Sequence, residues 1–126
     1  MSKTIIKVGE AVLQVVLEVN NIGADLTVQI TAGKAHLGAV ALATPCQQNP
    51  EGVTASVSTL TVPGHRDDIV AREAALKLCK VFNRPTCVIA GLHIDNASRE
   101  EITALVSNAE GAVNKLIKKY NEERRL

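Results

Sequence analysis

Between residues 11 and 20 valine and leucine are dense, with polar Gln14 and Glu18 set among them. The dominance of β-branched side chains predicts a strand there rather than a helix. Residues 26–31 (Leu-Thr-Val-Gln-Ile-Thr) alternate with period two, as an antiparallel strand with one buried and one wet face does. The turn residues of Asn20-Asn21-Ile22-Gly23-Ala24-Asp25 make a hairpin of the two runs. Residues 36–43 are small and apolar and read as a third strand, followed by a loop over residues 44–52 punctuated by Pro45 and Pro50. A fourth strand, residues 53–62, is apolar at Val53, Ala55 and Val57 and then at Leu60 and Val62. The phase slips between Ser58 and Thr59, which predicts a bulge or bend.

The period then lengthens. Ala71, Ala74, Ala75, Leu78 and Phe82 recur at helical spacing, with Asp67 or Asp68 as the cap and Arg84-Pro85 as the stop, so a helix runs to about Asn83. Residues 86–92 are a continuous apolar run and predict the most buried strand. Ser98-Arg99-Glu100-Glu101 has the form of a capping box. The helix beyond it carries Ile102, Leu105, Val106, Ala109, Val113, Leu116, Ile117 and Tyr120 on one stripe. Four strands, a helix, a strand and a long helix predict an α+β fold, a mainly antiparallel sheet with two helices on one face. Residues 1–126 read as a single domain. The other sheet face would stay aliphatic and open, and a symmetric homodimer is the simplest way to cover it.

Composition narrows the partners. Hydrophobic residues make up 46% of the 126, yet there is no Trp, one Phe and one Tyr, so the chain lacks stacking platforms for single-stranded bases. Fourteen basic against 13 acidic residues give a net charge of +1, too weak a field to favour nucleic acid. The basic residues Lys115, Lys118, Lys119, Arg124 and Arg125 fit the carbonyl end of a helix. Cys46, Cys79 and Cys87 are odd in number and lack CxxC spacing, which indicates reduced thiols and neither a disulfide framework nor a zinc knuckle. No long apolar stretch suggests a signal peptide or a membrane span, so a cytoplasmic location is expected.

All three histidines sit at predicted strand ends within two residues of a glycine, in Lys34-Ala35-His36-Leu37-Gly38, Pro63-Gly64-His65-Arg66 and Gly91-Leu92-His93-Ile94-Asp95. Strand ends are where loops converge, so one polar site built from three distant segments competes with three ordinary turn histidines. Pro63-Gly64-His65-Arg66-Asp67-Asp68 joins a strand to a helix. Its free amides, imidazole and guanidinium suit a phosphate or carboxylate; the plainer reading is a tight turn with Arg66 in solvent and Asp67 as cap. The Gly33–Gly38 stretch matches neither a dinucleotide fingerprint nor a P-loop, and a hairpin turn explains it locally. His93, Asp95 and Asn96 close the buried strand. His93 and Asp95 would form a hydrogen-bonded pair, hold a metal with His36 and His65, or simply start a loop; local spacing supports no metal set, and an organic anion ranks above a metal. Ser56, Ser58 and Thr59 lack a nucleophile elbow, no cysteine neighbours a histidine, and no catalytic group is assigned.

Taken with their order and intervals, Ala35-His36-Leu37-Gly38-Ala39-Val40-Ala41, Leu60-Thr61-Val62-Pro63-Gly64-His65-Arg66-Asp67-Asp68 and Ala90-Gly91-Leu92-His93-Ile94-Asp95-Asn96 resemble the LpdD-like family. These are small proteins associated with prenylated-FMN-dependent decarboxylases of the UbiD type, and the resemblance spans residues 11–119. It implies a homodimer with a fold like the eukaryotic proteasome assembly chaperone heterodimer. It further implies a non-catalytic chaperone that binds reduced prenylated FMN and helps load a UbiD-type decarboxylase apoenzyme. His36, Gly38, Gly64, His65, Arg66, His93, Asp95 and Asn96 are then the candidate cofactor-binding residues, with the anion loop taking the FMN phosphate and an aliphatic dimer groove the prenylated ring. The alternative is a stably bound accessory subunit of a gallate decarboxylase.

Overall fold

A computed structural model of the protein describes residues 3–63 and 67–124. Six strands form one sheet: β1 (Thr4–Val8), β2 (Val15–Ile22), β3 (Asp25–Gly33), β4 (Ala39–Asn49), β5 (Gly52–Thr61) and β6 (Thr86–His93), in the order β1-β2-β3-β6-β4-β5. Two helices, α1 (Asp68–Phe82) and α2 (Arg99–Arg124), precede and follow β6. Every strand pair is antiparallel except β3 with β6. The α+β architecture and the β2–β3 hairpin are as the sequence predicts, and β6 is central, between β3 and β4.

Four local expectations need correction. β1 lies outside the strands that the pattern predicts; its mixture of isoleucine and lysine is that of an edge strand, which turns Ile6 toward Leu17 and the core and leaves Lys7 outside. Residues 11–13 form a single 3-10 turn, with Ala11 at φ 53°, so the strand predicted from residue 11 starts at Val15. The third strand begins at Ala39 rather than His36, and it passes through the expected 44–52 loop to Asn49. Its pairing explains why a proline is tolerated: β6 accompanies β4 only over Ala39–Ala43, and the register shifts between Pro45 and Gln47. The irregularity therefore lies at Pro45, not at Ser58/Thr59, where Leu42↔Ser58 and Ala41↔Thr59 pair without interruption. The phase slip in β5 marks a change of apolar face along a regular strand.

The helices end as their sequences dictate. Asn83 takes the left-handed conformation, its N–H donates to the Cys79 carbonyl, and Pro85 bars continuation. At the start of α2 the capping box closes in both directions: the Glu101 N–H donates to Ser98 Oγ at 3.1 Å, and the Ser98 N–H to Glu101 Oε1 at 2.8 Å.

The core lies between the helices and one face of the sheet, where Val15, Leu17, Val28, Ile30, Val88 and Leu78 are fully buried. Each such side chain contributes about 1.5–3 kcal/mol by leaving water. Alanines line the contact of α1 with β4, Ala71, Ala74 and Ala75 opposite Ala39, Ala41 and Ala43, and their small size lets helix and sheet approach closely. By strand alternation the other sheet face carries Val40, Leu42, Leu60, Cys87 and Ile89, and Leu42 and Leu60 are 49% and 76% exposed.

Candidate functional site

The parallel pairing of β3 with β6 puts Gly33 and His93 side by side at one end of the sheet. Lys34 then donates its N–H to the His93 carbonyl (2.9 Å), Gly38 donates to Ala90 (3.0 Å), and Val62 at the end of β5 donates to Gly38 (2.8 Å). Three loops distant in sequence thus meet above β3, β6 and β4. His36 and His93 lie edge to face there, with ring centroids 5.9 Å apart and planes at 84°. The third histidine, with Gly64 and Arg66, lies outside the described residues.

Asp67 organises this end. It stands at the N-cap of α1, but its side chain makes no capping bond. Instead Oδ2 accepts from His36 Nε2 at 3.1 Å and Oδ1 accepts from the Leu92 N–H at 3.2 Å, in a residue only 7% exposed. The other ring nitrogen of His36 faces the Lys34 carbonyl oxygen at 3.0 Å, so both ring nitrogens point at oxygen atoms.

A second pair lies beside the first. Asp95 accepts from His93 Nε2 at 2.9 Å and from Lys34 Nζ at 2.7 Å. His93 and Asp95 form the hydrogen-bonded pair, one of the three arrangements that the sequence leaves open for them. The Lys34 ammonium, and after it the His93 imidazole, hold the Asp95 carboxyl below the usual carboxylate range, and the same contact raises Lys34. Among the described residues no group of three His, Cys, Asp or Glu side chains is placed to hold a metal.

The glycines serve the packing of the loops on one another. A Cβ on Gly91 would overlap the His36 carbonyl, and one on Gly38 would run into the Asp67 carboxylate. Their role is to let the 34–38 segment lie directly on β6 and on Asp67, which sets the position of His36.

Two depressions flank His93. One, of about 640 Å³, is lined by Gln14, Val16, Thr31, Lys34, His93 and Asp95 and opens on the sheet face opposite the helices. The other, of about 400 Å³, lies on the helix side among Asp67, Leu92, Asn96, Ile102 and Val106. Both are of ligand-binding size, roughly 300–1,000 Å³. Asn96, exposed and left-handed at φ 54°, borders the second. The cysteines are free, and burial pushes the Cys79 and Cys87 thiols up, away from the reactive thiolate.

The described site thus joins His36, Gly38, His93, Asp95 and Asn96 of the predicted residues and adds two, Asp67 and Lys34. Asp67 carried a signal in the doubled Asp67-Asp68, which leaves one carboxylate free of capping duty. Lys34 stood unassigned in the histidine segment itself.

A family model described as the prenylated flavin chaperone LpdD-like domain matches residues 9–121. The chain belongs to the LpdD-like prenylated flavin chaperone family. Among solved structures, it is similar to a chain in the crystal structure of a chaperone complex for yeast 20S proteasome assembly, with a TM-score of 0.60, 16% identity and 98% of each chain covered. At that identity the likeness is one of fold, and it agrees with the fold that the family resemblance implies. No curated protein matches the chain. Among the described residues, no helix is long and apolar enough to cross a membrane.

Proposed function

We propose that this LpdD-like protein is a homodimeric cytoplasmic carrier that binds reduced prenylated FMN and delivers it to a UbiD-type decarboxylase apoenzyme, in the most specific form of the reading a gallate decarboxylase. The observation that carries the proposal is the 640 Å³ depression at the histidine end of a sheet whose open face carries Val40, Leu42, Leu60 and Ile89, in a chain of this family. Two copies stacked through Val40, Leu42, Leu60 and Ile89 would bury that face and wall the depression with apolar surface.

The residues present suit the cofactor's two halves. Lys34 and His93 offer donors to the polar edge of a flavin, while Val16 and the open face offer the apolar contact its prenylated ring needs. In sequence Gly64, His65 and Arg66 directly precede Asp67, and we assign them the phosphate, with Arg66 as principal donor. When bound, the cofactor supplies the electron-rich ring chemistry of the enzyme that receives it. The chain's own part is to bind, orient and shield it, and no group here is assigned a catalytic role. A carrier must also hold its ligand less tightly than the final site does, because transfer runs downhill in free energy.

The test is anaerobic reconstitution of a UbiD-type apoenzyme with free reduced cofactor, with the loaded protein, and with the loaded Arg66→Ala variant. Loaded wild-type protein is expected to yield more active enzyme than free cofactor. The variant is expected to bind flavin about one to two orders of magnitude more weakly, the loss of one charge-assisted contact. No advantage over free cofactor at any ratio, together with a stable complex and faster turnover, would make the chain an accessory subunit instead.

A further inference from the structure

The chain's two aromatic rings stand together at the other end of the sheet from the histidines. Phe82, at the end of α1, meets Tyr120 of α2 with centroids 4.2 Å apart and planes at 61°. They border a pocket of about 240 Å³ whose floor is Val19, Leu26 and Leu116. β6 runs from Thr86 beside this pocket to His93, so the two sites are separated by roughly 23 Å of strand.

The rim of this pocket is cationic. Arg84 and Lys119 line it with Glu123 as the single carboxylate, and neither cation is in an ion pair among the described residues.

We propose that this pocket is a second ligand site, which takes a small carboxylate carried on one planar ring. The volume is below that of a pocket for a large ligand, about 300–1,000 Å³, and suits a small ligand built on one ring. The Phe82–Tyr120 pair and the aliphatic floor supply the apolar contact for that ring. Arginine matches a carboxylate with two parallel donors, and Lys119 stands on the same rim as a second cation.

The experiment titrates the full ¹⁵N-labelled chain with benzoate, benzyl alcohol and inorganic phosphate, and follows backbone amide shifts. Benzoate is expected to shift amides in residues 19–26 and 116–123, and to bind about tenfold more tightly than benzyl alcohol or phosphate. Arg84→Gln and Lys119→Gln, both at exposed positions, are each expected to weaken benzoate about threefold and leave benzyl alcohol unchanged. Equal affinity for benzoate and benzyl alcohol, equal affinity for phosphate, or shifts confined to the histidine end would each overturn the assignment.

Discussion

Thirty-one residues separate His36 from Asp67, yet His36 Nε2 lies 3.1 Å from Asp67 Oδ2. The contact ties the loop that enters β4 to the start of α1. Because Asp67 also accepts from the Leu92 N–H, one carboxylate ties the 34–38 segment, the end of β6 and the start of α1 together at the histidine end.

Replacing Asp67 therefore acts on stability and on the site together. Asp67→Ala strands both the Leu92 amide and the His36 ring nitrogen in a poorly hydrated place, at a cost of about 1–3 kcal/mol. Asp67→Asn retains an oxygen acceptor for Leu92 and should lose less. Urea denaturation of the two variants beside the wild type measures the difference, and equal stability of all three would mean that the carboxylate has no organising role.

Gly91 allows no side chain. A Cβ there overlaps the His36 carbonyl, so Gly91→Ala must push the 34–38 segment off β6. The expected outcome is a stability loss of about 1–3 kcal/mol, as for overpacking in a rigid interior, together with weaker flavin binding. A thermal melt and a flavin titration follow both effects; Gly23→Ala, where nothing lies near the added carbon but φ is +62°, controls for backbone strain alone.

The Asp95 carboxyl should titrate below the usual value of about 3.9 for an aspartate, because Lys34 and His93 favour its charged form. Its folded-state pKa being depressed, whatever stability this trio provides is fully present above the unfolded value and is lost as pH falls through the folded one. Lys34→Met is expected to raise the Asp95 pKa toward normal in a carboxyl-carbon NMR titration. An unmoved titration in that variant would show that the Lys34 contact does not form in solution.

Leu42 and Leu60 expose 49% and 76% of their surface on the sheet face opposite the helices. If two copies stack there, light scattering across a dilution series should give twice the chain mass, and Leu60→Lys should shift the equilibrium to monomer without lowering helix content. A wild-type chain that is monomeric at micromolar concentration would remove the dimer, and with it the second wall proposed for the depression beside His93.

What could be read from the residues alone is what short-range physics controls. The Ser98/Glu101 capping box, the β2–β3 hairpin, the apolar run of β6 and the stop at Asn83 depend on partners within a few positions, so pattern and turn chemistry suffice. The convergence of the histidine segments was legible only as a coincidence of glycines at strand ends. The parallel pairing of β3 with β6 turned it into geometry for His36 and His93. Tertiary structure alone settled the rest. β1 and the Pro45 irregularity depend on which neighbour a strand has along its length, a contest that propensity does not see. Asp67 had two uses open to it, a local cap and a distant imidazole. Only the docking of the 34–38 segment against β6 brought the imidazole within 3.1 Å, where a bond to a ring donor displaced the capping bond.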